Sequence, residues 1–110
     1  MKESPIFTRT HDLLLWLLQA TRKFPREHRF GLGQYLPELG LAFEKALIAA
    51  SIDKQYEADH LIRADVELTS LRKALLLCYE MNLLAPNQYQ HVSGLTSEVG
   101  RLLGAWRKTS

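Results

Sequence analysis

The chain has 110 residues, 46% hydrophobic and 24% charged, a globular composition that excludes a disordered or low-complexity protein. Its length suits one domain around one core, and a single cysteine, Cys78, rules out an internal disulfide and fits a reducing cytoplasm. A net charge of +2 is modest, so where the charges lie matters more than their sum.

The first helix is expected over about residues 6–23, started by Ser4-Pro5 or by Thr8 or Thr10 and stopped by Pro25. Its apolar run from Leu13 to Leu18 is far too short to span a bilayer and lacks the flanks of a signal peptide, so no membrane partner is expected. The run does point all the way round the helix axis. Leu15 and Trp16 must therefore be covered by other helices of the bundle or by another subunit.

Arg22, Lys23, Phe24, Pro25, Arg26, Glu27, His28 and Arg29 form a helix-breaking turn with four positive charges against one negative. Such a run is a solvated connection in the plain reading. In the sharper one it is a site for a phosphate backbone, with Phe24 stacking or anchoring. Arg22 and His28 also match the loose Arg-x4-6-His pattern of helical HEPN-type ribonucleases, although Pro25 separates them.

A second helix, about 32–51, carries Leu32, Leu36, Leu39, Phe43, Ala46 and Ala50 at steps of three and four. Pro37 is harmless there only if it falls in the first turn. The third helix, about 56–82, has the longest unbroken pattern, with Leu61, Ala64, Leu68, Leu71, Leu75 and Cys78 on one side. Asp59, Asp65 and Glu67 precede Arg72 and Lys73 along it, an order that suits the helix dipole. Leu76, Leu77, Leu83 and Leu84 widen its apolar surface, which makes it the expected central member of the bundle.

The fourth helix, about 87–107, follows Ala85-Pro86-Asn87 and offers Val92, Leu95, Val99, Leu102 and Trp106 to the core. A second stripe of Ser93, Ser97, Gly100 and Gly104 is costly for a helix, about 1 kcal/mol per glycine. It implies close approach by another helix, within the subunit or across an interface. Arg101, Arg107 and Lys108 make the chain end basic, and up-and-down connectivity places that end opposite the Arg22–Arg29 turn. The expected fold is thus all-α: a single up-and-down antiparallel four-helix bundle spanning 1–110, assembled into a barrel-like homo-oligomer.

No P-loop, dinucleotide turn, HExxH or paired-metal spacing occurs. His11, His28, His60 and His91 are scattered, so no catalytic residue, metal or cofactor is expected.

The segment Glu98-Val99-Gly100-Arg101-Leu102-Leu103-Gly104-Ala105-Trp106 resembles the C-terminal helix of the accessory variability determinant (Avd) proteins of diversity-generating retroelements. Phe24-Pro25-Arg26, Leu71-Arg72-Lys73-Ala74-Leu75 and the helix spacing are similar to that family too. It is akin to the four-helix proteins encoded in intervening sequences of bacterial 23S ribosomal RNA genes. The resemblance implies a barrel-shaped homopentamer that binds a reverse transcriptase and retroelement RNA or cDNA and supports mutagenic cDNA synthesis. Arg22, Lys23, Arg26, Arg29, Arg101, Arg107 and Lys108 are the candidate nucleic-acid or reverse-transcriptase contacts. Leu15, Trp16, Gly100, Gly104 and Trp106 are the candidates for assembly or close packing. The competing readings are a protein-binding scaffold of the intervening-sequence type and the HEPN-like ribonuclease.

Overall fold

The computed structural model describes residues 4–110, and every regular element in them is helical: α1 (Pro5–Thr21), α2 (Leu32–Ile52), α3 (Glu57–Glu80) and α4 (Pro86–Thr109). Short 3-10 turns, Arg26–His28 and Lys54–Tyr56, lead into α2 and α3. The order of contacts is cyclic: α1 packs on α2, α2 on α3, α3 on α4 and α4 back on α1. Trp106 lies against Phe7 and His91 against Trp16, so α4 runs antiparallel to α1. Arg72 reaching Thr96 and Tyr79 stacking on Tyr89 give the same sense for α3 and α4. The result is an antiparallel four-helix bundle, a rod 43 Å long and 25 × 23 Å across.

Pro5 opens α1, where its missing N–H has no intrahelical partner to lose. Ile6, Thr10, Leu13, Leu14 and Leu17 then turn inward at helical spacing. Leu15 (49% exposed) and Leu18 (46%) do not, so the all-round apolar helix is only half covered by its own chain.

Pro37 lies in the second turn of α2, not the first, and is buried. Its ring leaves the Gly33 carbonyl without the usual donor four residues on, yet the helix continues through it. Gly40 explains how α1 and α2 come together: a Cβ there would stand 2.7 Å from Leu14 Cδ2 and 2.9 Å from Leu17 Cδ1.

The α2–α3 seam is the most extensive in the molecule, and the buried Ala46, Ala50, Ala64 and Ala74 supply the small surfaces that let these helices approach closely. Asp53 ends α2, donating its N–H to Ala49 at 2.8 Å, while its carboxylate pairs with His60 Nε2 at 3.0 Å across the link.

All the expected stripe residues of α3, Leu61, Ala64, Leu68, Leu71, Leu75 and Cys78, are buried. In two respects α3 differs from expectation. It occupies one corner of the ring of helices rather than its centre. Arg72 and Lys73 also stand two turns before its end, beyond the reach of a terminal dipole.

The α3 terminus is a Schellman motif. Leu83 N–H donates to Cys78 O at 2.9 Å and Asn82 N–H to Tyr79 O at 3.0 Å, with Asn82 in the left-handed region at φ 62°. This reversal buries Leu84 and sets Pro86 at the first position of α4, where Gln88 Oε1 accepts the Ala85 N–H at 2.8 Å.

Candidate nucleic-acid interface

One end of the rod collects the end of α1, the start of α2, the end of α3 and the start of α4. Helix α1 closes with Lys23 N–H on Ala20 O and Phe24 N–H on Thr21 O, both 3.1 Å, and Thr21 Oγ1 on Leu17 O at 2.8 Å. The Phe24 side chain then folds inward, 4% exposed, and lies 3.5 Å from the position a Gly33 Cβ would take. It plugs the end of the core. The stacking role expected for Phe24 is therefore excluded, since a ring held inside the bundle cannot meet a base.

Pinning Phe24 inside sends its neighbours out. His28 N–H on Pro25 O at 2.9 Å and Arg29 N–H on Arg26 O at 3.2 Å wind Pro25–Arg29 into a tight turn. The His28 carbonyl sits against Gly33, where a Cβ would come within 2.9 Å. Arg22, Lys23, Arg26 and Arg29 are all exposed, and among the described residues none forms an ion pair with a carboxylate. Exposed cations of this kind contribute little to folding and remain available to an anionic partner.

Beside this turn lie two aromatic residues that the sequence pattern does not single out. Phe30 is 85% exposed and Tyr35 is 46% exposed, and with Gln34 and Glu38 they line an open groove at the start of α2. Gln34 Nε2 donates to Glu38 Oε1 at 2.9 Å within it.

The opposite end is organised differently. Trp106 Nε1 donates to Glu57 Oε2 at 2.7 Å and Arg107 Nη1 to Asp65 Oδ2 at 3.1 Å, tying the end of α4 to the start of α3. Arg107 is thus engaged within the subunit, while Arg101 and Lys108 are exposed and form no ion pair among the described residues. Trp106 is half-buried and packs in its own subunit, its ring centroid 6.2 Å from that of Phe7. Trp16 likewise packs on the core beside His91, whereas Leu15 faces out.

The two glycines of the α4 stripe have different surroundings. At Gly100 a Cβ would meet Arg72 Nη2 at 2.6 Å, so this glycine makes room for a side chain of α3. Among the described residues nothing comes within 4 Å of a Cβ at Gly104, so close packing between them does not account for that glycine. Ser93 and Ser97 line a small polar cavity with Arg72 and Tyr89.

Arg22 and His28 sit on separate elements, Arg22 capping α1 and His28 ending the 3-10 turn. Among the described residues no group of three or more His, Cys, Asp or Glu side chains converges as metal ligands would, and no helix is long and apolar enough to cross a membrane. Among the described residues the one clear shift in acidity is at buried Cys78, where desolvation pushes the thiol from 9.0 up to about 11 and keeps it protonated and unreactive.

A family model described as bAvd-like matches residues 6–110. A search of curated proteins finds no match.

Proposed function

The chain belongs to the bAvd-like family, and from that premise we propose a non-enzymatic accessory protein that binds a reverse transcriptase and its template RNA and supports mutagenic cDNA synthesis. The observation that carries this reading is the exposed set Arg22, Lys23, Arg26 and Arg29 at one end of the bundle, unpaired among the described residues. Each such cation on a phosphate releases condensed counterions, a driving force that needs no base sequence and that weakens with salt.

Assembly multiplies these contacts. Leu15 on α1, Leu41, Ile48 and Ile52 on α2, and Ile62, Val66 and Leu77 on α3 are large apolar side chains turned to solvent. Exposed apolar surface spread over three helices favours self-association, here into a barrel-like homopentamer, and a ring turns weak single contacts into useful avidity. With every basic turn repeated, a subunit of net charge +2 is sufficient.

The test replaces Arg22, Lys23, Arg26 and Arg29 together by glutamine and titrates RNA and purified reverse transcriptase at graded salt. RNA affinity should fall, and the slope of its logarithm against that of salt should flatten by about three if four single-strand phosphate contacts are lost. Unchanged binding of both partners would dismiss this end of the rod. Metal-independent RNA cleavage lost in His28→Ala would replace the accessory role with the ribonuclease.

A further inference from the structure

The groove beside the basic turn differs chemically from the turn itself. Its floor holds two aromatic faces, Phe30 and Tyr35, with the amide of Gln34 and the carboxylate of Glu38, and there is no cation among the described residues that line it. The cations lie next to it in the chain, on Arg26 and Arg29. A carboxylate repels phosphate but accepts hydrogen bonds from the amino groups of bases, and an exposed ring offers a stacking face to any base. Exposing a phenylalanine this fully gains nothing in folding, because its apolar surface stays in water. Its neighbour Phe24, by contrast, is used to close the core.

We infer that Phe30 and Tyr35 form a stacking platform for unpaired bases, with Arg26 and Arg29 on the adjoining phosphates, so that this end of the bundle prefers single-stranded nucleic acid to duplex. The division of labour follows from geometry. A duplex presents its phosphates to the arginines but keeps its bases stacked inside, whereas a single strand can turn a base into the groove while its backbone follows the turn. Stacking is tolerant of sequence because every base has a π-face, so the preference is for strandedness and not for a base order. The inference rests on the proposal that the basic turn binds nucleic acid, and adds to it the class of strand recognised.

The experiment uses the full chain with a labelled oligouridine strand and a hairpin RNA duplex as probes. Phe30→Ala should weaken binding of the single strand about tenfold and leave the duplex nearly unchanged. Tyr35→Ala should do the same to a smaller degree, and Phe30→Trp, which keeps a π-face, should restore single-strand affinity. Thermal unfolding of both Phe30 variants should match the parent, since Phe30 is 85% exposed. Equal losses on strand and duplex, or no loss on either, would overturn the stacking platform. So would loss of reverse-transcriptase binding alone, which would make Phe30 a protein contact. The glutamine variant of the four cations separates the two claims: if it weakens both probes while Phe30→Ala weakens neither, the basic turn stands and the platform falls.

Discussion

Arg72 lies over Gly100, and the absence of a side chain at residue 100 is what lets the guanidinium reach the Thr96 carbonyl at 2.9 Å. An arginine on α3 is thereby laid along α4 and joins the two helices at mid-length. That contact and the one at Gly40 look alike in sequence but differ in what would have to move.

Gly100→Ala pushes only on the tip of a flexible side chain, and the helix gains about 1 kcal/mol of propensity that offsets the displaced hydrogen bond. Its stability should stay within about 1 kcal/mol of the parent. Gly40→Ala instead pushes on Leu14 and Leu17 inside the core and should cost about 1–2 kcal/mol net of the same propensity gain. Denaturant unfolding of the two variants gives the comparison, and a Gly40→Ala protein as stable as the parent would contradict the tight α1–α2 contact.

Thr10 is fully buried and its hydroxyl has no hydrogen-bond partner among the described residues. Thr10→Val keeps the shape and removes the desolvated oxygen, so it should raise stability by about 1 kcal/mol. A lower melting temperature in this variant would mean that the hydroxyl is satisfied.

Cys78 makes stability depend on alkali. Its thiol ionises at about 11 when folded against 9.0 ordinarily, so the unfolded chain loses its proton first as pH rises. The contribution is fully present below pH 9 and is lost progressively up to about pH 11, amounting to roughly 2–3 kcal/mol. Cys78→Ala should therefore unfold with a shallower pH dependence than the parent across that window, even though its stability at neutral pH is somewhat lower. Parallel profiles would show that the thiol is not desolvated.

The outward apolar residues give the assembly test. Light scattering at micromolar concentration should return several times the mass of the 12.6 kDa chain. Ile48→Glu with Ile62→Glu should reduce it while the helices persist, because both side chains already face water in the subunit. Gly104→Leu separates the sources of packing. Space around residue 104 is open among the described residues, so the single subunit should tolerate the change, and a fall in mass would place Gly104 at the contact between copies. A parent protein that scatters as a monomer would end the homopentamer proposal.

The helices were legible because their buried positions repeat at three and four, and the α3 stripe from Leu61 to Cys78 is the clearest case. The site was less so. Phe24 continues the inward series Leu14, Leu17 and Thr21 at helical steps and is buried with them, although Pro25 and the surrounding charges advertise a surface loop. Phe30 precedes α2 and belongs to no stripe, which was the available sign of its exposure. Gly104 and Gly100 are equivalent in spacing, and only the length and position of Arg72 on the facing helix distinguish them. Arg107 looked as free as Lys108 because Asp65, its partner, is far away in sequence.

The two ends of the rod are unlike: at the α1–α2 turn, cations without partners among the described residues, and at the other end Trp106 and Arg107 fastened to Glu57 and Asp65. Cyclic symmetry carries every copy of a feature to the same height and radius. Any closed ring of this subunit would therefore repeat its basic turns as one annulus and its Trp106–Glu57 latches as another, so that the head-to-tail polarity of a single chain becomes a sidedness of the whole particle. Such a particle could hold an anionic strand along one circle while a different kind of surface stays free elsewhere.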